Sequence, residues 1–113
     1  MTEGEKLHGK DSFKLITVVV NLAQNTYQLK QFDVARAYLD KYLKIATAAN
    51  DGERTEDALF QLGVLAHETG KNDEAKAFIE RRLELAKASG DQMRIFDATD
   101  ALDSLYEKIG ENK

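Results

Sequence analysis

The chain has 113 residues, 42% hydrophobic and 32% charged, with a formal net charge of -4. That is one domain or a slice of an array, with enough apolar material for a core, and an acidic balance that speaks against nucleic acid, whose phosphates select a basic face. Cysteine and proline are both absent, which excludes a disulfide frame, a thiolate nucleophile and a cysteine-ligated zinc site, and disfavours loop-rich and sandwich folds that use proline at turns.

From the N-terminus, MTEGEKLHGKDS (residues 1–12) lacks the apolar core of a signal peptide. No later apolar run approaches the ~20 residues that span a bilayer. Residues 1–11 are therefore read as a disordered tail, and the protein as soluble and cytoplasmic, with no membrane partner.

The first predicted helix covers 12–29. Its ITVVV stretch, Ile16 to Val20, is β-branched and would suit a strand in isolation. No other strand pattern exists for it to pair with, and Leu15, Val18, Val19, Leu22 and Tyr27 can form one helical stripe. Further helices are predicted over 33–49, 53–69, 73–88 and 92–109. Gly70 closes an apolar pattern where a helix end favours a residue tolerant of positive φ. Asn72 and Asp73 offer N-cap oxygens to the helix that follows. Ala75, Phe78, Ile79, Leu83 and Ala86 then recur at three- and four-residue steps, the period of one helical face. SGD at 89–91 ends that helix, and Asp91 caps the last one.

Residues 33–70 laid over 73–110 without a gap give thirteen identities in thirty-eight positions, among them Asp33/Asp73, Ala35/Ala75, Asp51/Asp91, Leu62/Leu102 and Gly70/Gly110. A repeat of forty residues points to stacked supersecondary units, each two helices with tight turns. The segments divide as 12–50, 51–90 and 91–110.

LFQLGVLAHETGKNDEAKAFIERRLELAKASGD (residues 59–91) resembles a tetratricopeptide repeat. Leu59 falls at the large apolar site near the start of the first helix, Leu62-Gly63 at the Leu-Gly pair, Ala75 at the small site early in the second helix and Ile79 at the bulky site after it. The forty-residue period is similar to the extended repeats of the Pins-type spindle-orientation adaptors. Ala23 and Asp103 replace Gly63 in the outer units, Lys30 replaces Gly70, and Tyr42 and Arg82 fill a site often held by Ala. The resemblance implies an all-α fold, a right-handed superhelical stack of antiparallel helix pairs with five helices over residues 12–110. It also implies a concave groove lined by the first helix of each pair. In that frame Val20, Gln24, Tyr27, Asp57, Phe60, Val64, His67, Asp97 and Asp100 face the groove. A peptide or helix would lie there on apolar anchors, with basic flanks against the acids. The same acids also suit the solvated face of a terminal helix. The chaperone-tail clamp of the family needs convergent Lys, Arg and Asn, and these positions carry mostly acids, Gln or apolar side chains, so that ligand is disfavoured.

Chemistry has little footing. His8 and His67 are not spaced to share a metal, neighbouring carboxylates are expected by chance among so many acids, and LHGKDS lacks the spaced glycine and strand of a phosphate loop. Arg81, Arg82, Lys41, Lys44 and Lys87 make a basic streak on the second helices, which i,i+4 pairing with acids such as Glu80 and Glu84 accounts for. No catalytic, cofactor or metal residue is assigned. The expected function is non-enzymatic: an adaptor or scaffold that binds a protein partner. The alternatives are a homodimer module that covers exposed apolar residues at Val18–Val20 or at Phe96 and Tyr106, and a regulatory fragment of a larger repeat protein.

Overall fold

The computed structural model describes residues 10–110. Among them are five α-helices and no strand: α1 Lys10–Gln28, α2 Phe32–Ala48, α3 Gly52–Glu68, α4 Asn72–Ser89 and α5 Gln92–Lys108. Each expected helix is present with ends displaced by at most two residues, and Ile16–Val20 lies inside α1. The expected tail over 1–11 lies, for residues 1–9, outside the described residues; Lys10 and Asp11 open α1.

Left-handed residues punctuate the chain every twenty positions. Lys30 (φ 62), Asn50 (φ 59), Gly70 (φ 80), Gly90 (φ 77) and Gly110 (φ 80) each follow a helix. After three of the helices the chain also closes a 6→1 hydrogen bond: Gln31 N–H to Thr26 O at 2.8 Å, Asp51 N–H to Ala46 O at 3.0 Å and Lys71 N–H to Ala66 O at 2.8 Å. These bonds satisfy carbonyls that a helix end would otherwise leave open. The predicted turn at Gly70 is thus one member of a series that runs through a lysine and an asparagine.

Capping follows the sequence at one helix and departs from it at another. Asp91 accepts from the N–H groups of Met93 and Arg94 at 3.0 and 3.3 Å, as expected of an N-cap carboxylate. Asp51 caps α3 in the same register through Arg54 N–H at 3.1 Å. For α4, however, the N-cap position is Lys71, with no side-chain cap. Asn72 is already helical, and its Oδ1 lies 3.3 Å from His67 Nδ1. The asparagine bridges back to the preceding helix instead of capping its own.

The chain divides into two compact units, Met1–Ala58 and Leu59–Lys113. In the first, α1 packs along α2. Ile16, Val19 and Ala23 of α1 are at most 4% exposed, as are Ala35, Leu39, Tyr42 and Ala46 of α2. Tyr27 and Phe32 stack tilted at 5.7 Å across the turn. The apolar stripe expected of α1 is corrected here. Val19 is buried, but Leu15, Val18 and Leu22 are 40%, 54% and 38% exposed, so the buried row is the adjacent one. Both rows are apolar and both fit a helical period. Ala23, small enough to admit a neighbouring backbone, marks the row that meets a helix.

In the second unit Ala66, Ala75, Ile79 and Leu105 form a buried cluster drawn from α3, α4 and α5, with Phe78, Ala101, Leu102 and Ile109 packed against it. Gly63 sets the approach of α3 to α4. A Cβ at this position would lie 2.5 Å from Ile79 Cδ1, 2.8 Å from Ile79 Cγ1 and 3.5 Å from the Ala75 carbonyl. The Leu-Gly pair and the small Ala75 read from the sequence are the two sides of this contact.

Gly63→Ala gains about 1 kcal/mol of helix propensity but forces a methyl onto a boxed, β-branched Ile79, so the net change in urea unfolding is a loss of about 1 kcal/mol. Ile79→Val alone costs about 1 kcal/mol. The double variant is less destabilised than the sum, because removing Cδ1 makes room for the new methyl; strict additivity would contradict the contact. At the first turn, Lys30→Gly releases left-handed strain and stabilises by about 0.5–1 kcal/mol. Asn50→Gly gains less, because asparagine tolerates that conformation.

Candidate functional site

The candidate residues fall in both units, and each half has its own structure. In the first unit Val20 and Tyr27 of α1 are half-buried and Gln24 is exposed. Tyr27 rests on Phe32, so one side of its ring belongs to the α1–α2 turn. Asp57, at the start of α3, is exposed as a residue, yet its Oδ2 accepts the Tyr42 hydroxyl at 2.7 Å. Tyr42 is 2% exposed. A buried phenol must place its O–H on an acceptor, and Asp57 provides one from the next helix. Burial first, then this hydrogen bond and the carboxylate's charge, push the Tyr42 hydroxyl far above the ordinary phenol range, with Arg54 opposing weakly. Asp57 therefore ties α2 to α3. The sequence flagged Tyr42 only as an unusual occupant of a small site and read Asp57, through its match to Asp97, as a groove residue; nothing in the spacing paired the two.

In the second unit Phe60 and Val64, one turn apart on α3, are 37% and 36% exposed, while Leu59, Leu62, Leu65 and Ala66 around them are at most 3% exposed. The Arg82 guanidinium of α4 sits over the Phe60 ring at 5.0 Å, a cation–π contact. Its Nε is buried without a hydrogen-bond partner. Arg82 was expected on a solvated face, balanced by acids one turn away; its position beside Phe60 was not legible. His67 is half-buried at the end of α3, held by Asn72. Asp97 and Asp100 are exposed on α5, in the register of Asp57 and Phe60 forty residues earlier. Glu80, assigned to the basic streak as a neutraliser, accepts the Tyr106 hydroxyl at 2.9 Å, which links α4 to α5.

Among the described residues, no three His, Asp or Glu side chains converge as a metal site would require, and no helix is long and apolar enough to cross a membrane. Within the second unit, Phe60 and Val64 are open on α3, with the Arg82 guanidinium against the Phe60 ring.

A family model described as tetratricopeptide repeat matches residues 5–88. The chain belongs to the tetratricopeptide repeat family. No curated protein and no solved structure matches it. Membership fits the helix pairs, the left-handed turn closing each helix, and the close approach at Gly63. Tetratricopeptide repeats are protein-interaction modules in general, and this chain carries that role at that level of description.

The Tyr42–Asp57 pair makes a prediction about pH. A phenol whose folded pKa is raised contributes stability that is complete below its unfolded value, near 10, and is lost as pH rises above it. Thermal unfolding of the wild type should therefore fall away steeply above pH ~10. Tyr42→Phe should flatten that slope while costing about 1 kcal/mol at neutral pH. An unchanged alkaline slope in the variant would contradict the assignment.

Proposed function

We propose that the second unit captures a peptide or helix of a partner protein, with Phe60 and Val64 as the apolar anchor site. The observation that supports this reading is their exposure. Two large apolar side chains stay open to solvent on a helix where Leu59, Leu62, Leu65 and Ala66 around them are buried, in a chain with 32% charged residues to spare for its surface. Phe60 is held on one side by Arg82, so little side-chain entropy remains to be lost on binding. Asp97 and Asp100, exposed on α5 at the positions that match Asp57 and Phe60 forty residues earlier, carry the negative charge that would favour a ligand whose apolar anchor is flanked by Lys or Arg. Val20, Gln24 and Tyr27 occupy the corresponding register on α1 and extend the same mode of recognition to the first unit. In this reading the protein is a non-enzymatic adaptor or scaffold acting in the cytoplasm.

A random peptide display library selected on the full chain tests this. Selected peptides should carry an aromatic or branched apolar residue next to basic ones. Their affinity should fall by at least ~10-fold for Phe60→Ala, the loss typical of a truncated anchor, with helical circular dichroism unchanged. Equal affinity for the wild type and the variant would remove Phe60 from the site.

A further inference from the structure

The exposed row of α1 differs from the rest of the surface. Leu15, Val18 and Leu22 follow one another at helical steps and are 40%, 54% and 38% exposed, and Leu29 continues the row at 67%. Forty residues on, the positions equivalent to Leu15, Val18 and Leu22 are Thr55, Ala58 and Leu62, which are 7%, 0% and 0% exposed. The row on α1 is thus of a kind that the repeat buries, and the described residues leave it in solvent.

Its surroundings say what fits. Residues 15–29 contain no charged side chain, in a chain with 16 basic and 20 acidic residues. The flank of the row is Asn21, Asn25 and Gln28, all exposed, with Lys14 and Lys30 at its two ends. A two-fold contact sets each residue against its own kind or a close neighbour, so a charged flank would repel itself. Amides carry donors and acceptors together and pair with one another in either direction. A peptide bearing Lys or Arg would find no counter-ion along residues 15–29, only the like charges of Lys14 and Lys30 at the ends. A head-to-tail contact with α5 would bring Asp103, exposed beside Phe96 and Thr99, against apolar side chains and desolvate a carboxylate.

We propose that this face is a two-fold interface, in which α1 packs on α1 of a second copy with Val18 at the centre. One helical row per copy is less than the roughly 800 Å² per partner of a standard interface, so the dimer is weak and its population depends on concentration. The proposal is independent of the peptide-binding reading, because Val18 and Phe60 lie in different units.

Sedimentation equilibrium of the full chain from about 10 μM to about 1 mM covers the range where such a contact titrates. The wild type should move from monomer toward dimer mass. Val18→Lys and Val18→Glu should each weaken association by at least ~10-fold with unchanged circular dichroism, since Val18 is exposed. An equimolar mixture of the two should recover the dimer through opposite charges. Phe96→Lys on α5 should associate as the wild type does. A wild type that stays monomeric throughout would overturn the proposal and leave the row to residues 1–9 or to another protein. A Val18→Lys variant that dimerises normally, or loss of the dimer in Phe96→Lys, would overturn it as well.

Discussion

The structure depends on how closely neighbouring helices can approach, and Gly63 is where that limit is sharpest. With hydrogen in place of Cβ, α3 admits the Ile79 side chain to a position a methyl would occupy. Alanine does the same work with less stringency elsewhere. Ala35, Ala46, Ala58, Ala75, Ala86 and Ala98 are all fully buried. Small residues in one helix leave room for Leu39, Tyr42 or Ile79 in the layer between, so the core is filled at close-packed density without long side chains on every face.

That packing decides which side chains remain outside. A helix buried along one row holds its other residues at fixed angles, so Phe60 and Val64 are presented by the same geometry that hides Leu59, Leu62 and Leu65. The polar ties have a similar effect. Tyr42 to Asp57 and Tyr106 to Glu80 each join two consecutive helices through a single hydrogen bond, and Arg82 braces Phe60. For a module that works by presenting a surface, this rigidity limits the ordering that binding would otherwise require.

Much of the fold was legible because the chain repeats itself. Identities spaced by forty residues, with Asp51/Asp91 and Gly70/Gly110 among them, carry both the period and the helix ends, and Gly63 and Ala75 carry the contact. Three things were not legible, each for a physical reason. On α1 two adjacent rows are equally apolar, so periodicity alone could not choose between Ile16, Val19, Ala23 and Leu15, Val18, Leu22. At Asn72 a capping residue type sits one position inside the helix, within reach of His67, and the tertiary hydrogen bond takes precedence over the local cap. Among the candidate site residues, the sequence register located Phe60 and Val64 on one exposed face, but the tie between Asp57 and Tyr42 and the seat of Arg82 arise between helices, where no spacing rule reaches.

Adjacent positions of one helix meet opposite fates, and thiol labelling measures that directly because the chain has no cysteine of its own. Val64→Cys and Leu65→Cys, at 36% and 3% exposure in the wild type, would be labelled under native conditions. The cysteine at position 64 should react at close to the rate of a free thiol, and that at position 65 at least ~100-fold more slowly, because it must wait for local opening. Equal rates, or protection at 64 with ready labelling at 65, would contradict the register on which both the buried seam and the exposed face depend.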